Sequence, residues 1–415
     1  MFDFMDMDFN GSLTELPPAT GPYIPEASDC MRCGMCVSHC PTYRIFQIDE
    51  ETPRRRIRTL EKLLVAEQSI SADEQTHLLN CLQCRACETA CPSHMAYGQL
   101  FDQALVKLHR QFNRLATVAF WLIEHKAWRI RLMPLLSLYQ SLGLQKLLRQ
   151  SGLLQKLQLA KVDALLTPPA LVNLAENYLC AEPKRGTVAL FTGCIAEQFD
   201  RDTLVASIRV LNTIGYEVLV PAQQRCCGAI HQHNGLSAQG FIDNNVGLFN
   251  SLNVDAVLFT ASGCGAMLTE YQLDDKTAEQ QFQTRLQDLN TFLLAHWPED
   301  LNLTPLTERV VVHEPCSQRH VLKNVQSQYQ LLEKIPGLEI IPLADNHVCC
   351  GAGGSYLLSH PENAEQLLKL KLQTIHDTPS EWLISSNFGC ATFLSTAKRR
   401  VVHPVVVLAQ SLVDS

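Results

Sequence analysis

Two stretches of twelve residues constrain this chain more than anything else in it. Residues 30–41 read Cys-Met-Arg-Cys-Gly-Met-Cys-Val-Ser-His-Cys-Pro, and residues 81–92 read Cys-Leu-Gln-Cys-Arg-Ala-Cys-Glu-Thr-Ala-Cys-Pro. Both follow C-x2-C-x2-C-x3-C-P, the run that holds a [4Fe–4S] cluster in bacterial ferredoxins. Cysteines three apart let a tight loop wrap one cubane, while the fourth points away and reaches the other cluster. The expected ligand sets are therefore crossed. Cys30, Cys33, Cys36 and Cys91 would hold one cluster, and Cys40, Cys81, Cys84 and Cys87 the second. Pro41 and Pro92 close the loops by fixing φ and withholding an N–H. Zinc is the rival reading, but zinc sites usually take paired C-x2-C hooks, not two triplets each trailed by Cys-Pro.

Composition narrows the class. At 415 residues the chain suits two or three domains. A hydrophobic content of 46% is enough for ordinary cores, and a net charge of −8 argues against nucleic acid as a partner. Of seventeen cysteines, eight lie in the two runs and most others in repeated settings. That pattern implies metal ligation in a reducing, cytoplasmic setting rather than disulfides. No basic residue precedes Arg32, and neither an apolar signal region nor an apolar run of about 18 residues occurs. Neither a signal peptide nor a spanning helix is expected.

Along the chain, residues 1–22 alternate Phe and Met with Asp before turning Pro- and Gly-rich, and read as a flexible acidic tail. Residues 54–67 and 71–80 have helical spacing, with Ile57, Leu60, Leu63 and Leu64 in one stripe and Ser71 with Glu74 as a capping box. Arg54, Arg55, Arg56 and Arg58 read as a solvated face. Residues 106–161 carry ten Lys or Arg against one acid, Glu124, together with Trp121, Trp128 and many leucines. Pro134 is expected to break or kink this arm. Three readings stay open for it: packing on the cluster domain, lying on the anionic inner face of the cell membrane, or contacting another subunit.

The second half contains one pattern twice. Strand-like residues 188–192, 216–220 and 254–260 lead to Cys194, to Cys226-Cys227-Gly228 and to Cys264. Residues 310–313, 338–343 and 382–386 lead likewise to Cys316, to Cys349-Cys350-Gly351 and to Cys390. Matching cysteines lie 122, 123 and 126 residues apart. Helical stretches such as 201–214 and 361–375 intervene, which is βαβ logic repeated. Ligands of open α/β sheets collect at the carboxyl ends of the strands, so four thiols should converge in each copy. One or two further iron–sulfur clusters would suit them; buried free thiols or a redox disulfide stay open. Gly351-Ala-Gly-Gly-Ser355 lacks G-x-G-x-x-G and reads as a turn at this site. Among His231, His233, His313 and His320, the first and third are the better candidates for hydrogen-bonding partners of the ligands.

The expected architecture is α+β and multidomain. The tail 1–22 precedes an α-helical two-cluster ferredoxin domain, 23–105, and a basic helical arm and linker, 106–185. Two α/β lobes, 186–305 and 306–415, follow as a pseudo-twofold pair, each with a Cys-Cys-Gly (CCG) motif.

These motifs together resemble the iron–sulfur subunits of glycolate oxidase (glycolate dehydrogenase). Thr52-Pro53-Arg54-Arg55-Arg56-Ile57 resembles that family's Gly/Ser-Pro-Arg-x-Arg-Ile, Ser386-Asn387-Phe388-Gly389-Cys390 its last cysteine site, and His403-Pro404 its ending. The CCG-bearing subunits of anaerobic glycerol-3-phosphate dehydrogenase and of heterodisulfide reductase share the repeat but often end it in C-x-x-C. Here Ala261 and Asn387 stand at the first of those positions, which counts against a five-cysteine noncubane cluster. The resemblance implies an electron-transfer subunit with no catalytic residue of its own. FAD would sit on a partner subunit that oxidises a 2-hydroxy acid with a non-NAD acceptor, and electrons would pass on toward a quinone. Alternatives are thiol or heterodisulfide redox chemistry at the CCG sites, or partnership with a flavin dehydrogenase for D-lactate or glycerol-3-phosphate.

Overall fold

Between the two cysteine runs the chain forms two helices whose ends are written in the sequence. Thr52 caps the helix Pro53–Leu64, its side chain accepting from the Arg55 N–H at 3.4 Å, and Pro53 needs no donor at the first helical position. Ser71 and Glu74 cap the helix Ala72–Leu79 reciprocally, at 3.1 and 2.7 Å. Ile57, Leu60 and Leu78 then pack against Leu100, Phe101, Ala104 and Leu105 of the helix Tyr97–Lys107. The computed structural model describes residues 29–108, 112, 114–156, 159–378, 380, 382–395 and 400–413, and the expected acidic tail lies outside them. The described part of the cluster domain, 29–105, contains no strand, as the helical ferredoxin reading requires.

Not all the arginines of this region face solvent. Arg56 falls on the same side of its helix as Leu60 and is only 2% exposed. It pairs with the buried carboxylate of Glu51 and donates from Nε to the His77 carbonyl at 2.8 Å. Arg54 and Arg55 pair with Asp49 at 2.6 and 3.5 Å at the surface, and Arg58 is exposed.

The basic arm is helical, with its longest pieces at Arg114–Glu124 and Lys126–Ser141. Pro134 does not break the second of these. It lies on the exposed side of the helix, so water can reach the carbonyl that its missing N–H leaves free. The arm meets the cluster domain at its start, where Lys107 lies 4.0 Å from Glu67, and further along it makes polar contacts with the first lobe. Glu124 meets His231 at 3.0 Å, Lys126 meets Glu197 at 2.8 Å, and Lys126 Nζ donates to the Ala222 carbonyl at 3.0 Å.

The second half builds two sheets. The first has β1 (Asn177–Tyr178), β2 (Gly186–Phe191), β3 (Tyr216–Leu219), β4 (Ala256–Phe259) and β5 (Leu286–Asp288), in the order β1-β3-β2-β4-β5. Only the β1–β3 pairing is antiparallel. The second has β6 (Arg309–His313), β7 (Glu339–Pro342), β8 (Trp382–Ser385) and β9 (Arg400–Val402), in the order β7-β6-β8-β9, all parallel. The six expected strands are present, and β3-β2-β4 and β7-β6-β8 repeat one order. β1, β5 and β9 span two or three residues each, too few to show a period.

Strand alternation decides which side chains meet. Val188 and Leu190 of β2, with Val310 and Val312 of β6, enter one hydrophobic core shared by both sheets. Ala189 and Phe191 turn to the opposite face, as does Val311. The helix Pro404–Gln410 closes the shared core, with Val405, Val407 and Leu408 fully buried.

Candidate iron–sulfur centres

The two ferredoxin loops have matching backbones. Arg32 and Gly34 in the first, and Gln83 and Arg85 in the second, hold the left-handed conformation at φ 55°, 82°, 53° and 60°. Left-handed residues within a turn direct successive N–H groups into one concavity, which favours an anion. The Gln83 N–H accordingly lies 3.4 Å from Cys81 Sγ. Arg85 is held in place by the Glu270 carboxylate of the first lobe, Nη2 to Oε2 at 2.7 Å.

Cysteines from both runs line each of two adjacent hollows. Cys30, Cys33, Cys36 and Cys91 line one, with Met31 and Arg54 at its edge. Cys40, Cys81, Cys84 and Cys87 line the other, with Arg56 and Tyr97. Cys87 borders both. Burial and the neighbouring thiols push Cys36 up to about 11, and burial raises Cys81, Cys84 and Cys87 as well. Thiols so placed resist becoming thiolates unless a cation offsets their charge. Part of that offset is built in: Arg56 Nη1 lies 3.6 Å from Cys40 Sγ, and the Tyr97 hydroxyl 3.6 Å from Cys81 Sγ. Soft thiolates beside a fixed positive charge suit an iron–sulfur cluster.

In the lobes, every strand-end cysteine of a copy joins one string of thiols. Cys194 touches Cys226, Cys226 adjoins Cys227, and Cys227 touches Cys264. Cys316 touches Cys349, and Cys350 Sγ lies 3.3 Å from Cys390 Sγ. All seventeen cysteines are unbridged. The CCG glycine explains itself in both copies. Gly228 and Gly351 have φ of +88° and +92°, and a Cβ there would run into Ala238 at 2.9 Å or the Ala364 carbonyl at 2.7 Å. Their N–H groups point back at the first sulfur of the pair, 3.4 Å from Cys226 and 3.5 Å from Cys349.

The second ferredoxin loop and the second lobe meet directly. Leu82 and Cys84 share one buried cluster with Cys316, Cys349, Cys350 and Cys390. Gly353 permits the approach, since a Cβ there would come within 3.0 Å of Leu82. The glycine-rich segment is thus a turn at this contact. The Tyr356 hydroxyl donates to the Asn80 carbonyl at 3.0 Å across the same boundary.

The four histidines separate. His313 is buried beside Cys350 and Cys390. His231 faces the arm, its Nε2 3.0 Å from Glu124 and its ring edge-on to Phe120 and Phe241. His233 meets Asp102 at 3.3 Å, and His320 meets Thr89 at 2.9 Å. Arg56, expected on a solvated face that could moderate the charge of the clusters, is instead buried against Cys40. One charged residue near the thiols has no place in the sequence analysis: Lys371, 1% exposed, donating to the Asp345 carbonyl at 2.7 Å. Its position among Ala364, Leu367, Leu368 and Ile375 on the buried face of the helix Pro361–His376 was the available signal.

Comparison with known proteins bears on these sites. A family model for a 4Fe–4S dicluster domain matches residues 26–95, and one for a cysteine-rich domain (CCG) matches residues 188–269 and again 310–395. A third, for the linker region of the glycolate oxidase iron–sulfur subunit, matches residues 113–166, the basic arm. The probable glycolate oxidase iron–sulfur subunit of Bacillus subtilis (strain 168) is 32% identical over 390 residues, covering 88% of this chain and 87% of that protein. The chain belongs to the glycolate oxidase iron–sulfur subunit family. The glycolate oxidase iron–sulfur subunit of Escherichia coli (strain K12) is 28% identical over 407 residues, covering 92% of this chain and 93% of its own length. A hypothetical protein from Helicobacter pylori shares the fold at a TM-score of 0.50 and 12% identity, over 88% of this chain and 65% of that one. The family is thus an iron–sulfur one, with a dicluster domain followed by CCG domains. Among the described residues, no helix is long and apolar enough to cross a membrane.

Proposed function

We propose that this chain is the electron-transfer subunit of an FAD-dependent glycolate dehydrogenase, carrying electrons from a separate flavin subunit toward a quinone. The observation that carries this reading is the line of thiol sites. The set Cys30, Cys33, Cys36 and Cys91 adjoins the set Cys40, Cys81, Cys84 and Cys87, whose Cys84 packs with Cys316, Cys349, Cys350 and Cys390. We assign a [4Fe–4S] cluster to each ferredoxin set and a further iron–sulfur cluster to each CCG set, including Cys194, Cys226, Cys227 and Cys264. Bound clusters accept and release one electron at a time, which suits them to empty a two-electron flavin. The chain's own residues supply thiolates, exclude water, and place Arg56 and amide N–H groups against sulfur. The domain limits given above and a pseudo-twofold relation of the lobes belong to the same proposal; the repeated strand order supports it.

The test is reduction by substrate. Held anaerobically with glycolate, the isolated chain should keep its visible absorption. With its flavin partner added, the absorption should bleach. Bleaching without the partner, or none once the flavin is reduced, would refute the division of labour.

The crossed ligation predicts a specific mutant. Cys91→Ser should remove iron from the site of the first run and leave that of the second, which still has Cys40, Cys81, Cys84 and Cys87. Iron analysis and EPR on the anaerobic variant check this, and loss from the second site alone would reverse the assignment.

The exposed face of the arm supports contact with an anionic membrane. Trp121, Trp128, Leu135, Leu142 and Leu147 are each 40% exposed or more. The Arg131 guanidinium lies 5.5 Å from the centre of the Trp128 ring. Apolar anchors interleaved with cations suit the boundary between headgroups and acyl chains. The chain should float with anionic liposomes and not neutral ones, and should release as salt shortens the screening length from about 10 Å at 0.1 M to about 3 Å at 1 M. Equal flotation with both lipids, or none, would leave the face to another subunit.

A further inference from the structure

His313 ends β6 on the face that Val311 occupies, because side chains alternate along a strand. Val311 packs among Cys349, Cys350 and Cys390. His313 is carried to the same place and is 1% exposed. A ring nitrogen of His313 and the sulfurs of Cys350 and Cys390 all lie within 4.8 Å of one another. The other side of the ring is already engaged. Nδ1 lies 3.2 Å from Ser385 Oγ, on the residue of β8 paired in register with His313. With the Ser385 hydroxyl at Nδ1, Nε2 is the nitrogen left to act as a ligand. This is how ligating histidines are commonly held, by a partner on the nitrogen that does not bind the metal.

The first lobe differs at this position. Three residues before Cys194 stands Phe191, 2% exposed and packed near Phe249, with no donor atom to offer. The two thiol strings are otherwise alike, so the imidazole is a feature of one lobe.

We infer that His313, together with Cys350 and Cys390, ligates iron of the second-lobe cluster, which therefore has a mixed thiolate and imidazole donor set. The inference rests on reading that lobe as a cluster site. A neutral imidazole among thiolates puts less electron density onto iron, and exchange of cysteine for histidine raises the potential of iron–sulfur centres. The second-lobe centre should thus sit at a higher potential than it would with cysteine at 313.

Pulsed EPR on the full chain, purified anaerobically with and without 15N-histidine, tests this. A nitrogen coupling to the second-lobe cluster that changes with the label is expected in the wild-type protein. It should be lost in His313→Cys, with iron retained and the midpoint potential lowered. In His313→Gln both the coupling and part of the iron should go. A second-lobe cluster signal that ignores the label, or a labelled coupling that persists in His313→Cys, would overturn the ligation while leaving the cluster in place. Iron and spectra unchanged by both Cys350→Ala and Cys390→Ala would instead remove the second-lobe cluster, and this inference with it.

Discussion

Replacing Cys84 by alanine is expected to leave flavin reduction by glycolate at its wild-type rate and to cut transfer to a quinone analogue by roughly 100-fold or more. Loss of a mere outer partner of a metal ligand costs about 10- to 100-fold, and Cys84 is proposed as a ligand. Its position makes it sharper than a random cluster mutant. It lines the second ferredoxin hollow and packs in the same buried cluster as Cys349, where electrons would leave the ferredoxin domain for the second lobe. The chain has no part in substrate oxidation on this reading, so the first half-reaction should not feel the change. Stopped flow on the flavin, with quinone reduction followed in parallel, separates the two steps. Wild-type quinone reduction in the variant would end the relay proposal. Slowed flavin reduction would mean that the chain shapes the substrate step after all.

The second large effect concerns stability. Arg56→Met is expected to destabilise the cluster domain by about 3–5 kcal/mol, the usual result of stranding one partner of a buried ion pair. Glu51 is 0% exposed, and beyond Arg56 its carboxylate accepts from Asn80 at 2.6 Å and meets His77 at 2.7 Å. Neither replaces a guanidinium. The same substitution removes the positive charge beside Cys40, so iron should leave the second-run site faster as well. A fall of at least about 12 °C in the melting midpoint of this domain would follow, at roughly 4–8 °C per kcal/mol for a domain of about 60–100 residues. The double variant Arg56→Met with Glu51→Gln should recover much of the loss, because no net charge is then left buried. A single variant that melts within about 1 °C of wild type would show that the pair is not the anchor its burial implies.

The local rules of the chain were sufficient for a large share of what it became. Cysteine spacing picked out the residues that line the two hollows, since each loop's turn is set by a few consecutive residues. Thr52, Pro53, Ser71 and Glu74 announced helix ends because caps are local hydrogen bonds. The CCG repeat and its flanking apolar runs marked six strands and the convergence of their ends, because parallel strands buried on both faces need continuous apolar segments.

What the tertiary structure alone decided was partnership at a distance. Arg56 looks like its neighbours Arg54 and Arg55 until the fold brings Glu51, His77 and Cys40 around it; burial belongs to packing, not to residue type. The arm's composition is the same whichever surface it covers, and only Glu124 against His231 and Lys126 against Glu197 place it on the first lobe. The approach of Cys84 to Cys349 joins residues 265 apart in the chain, and no local pattern records it. His313 and Phe191 occupy matching places in a repeat, and it took the fold to set the His313 ring beside Cys350 and Cys390.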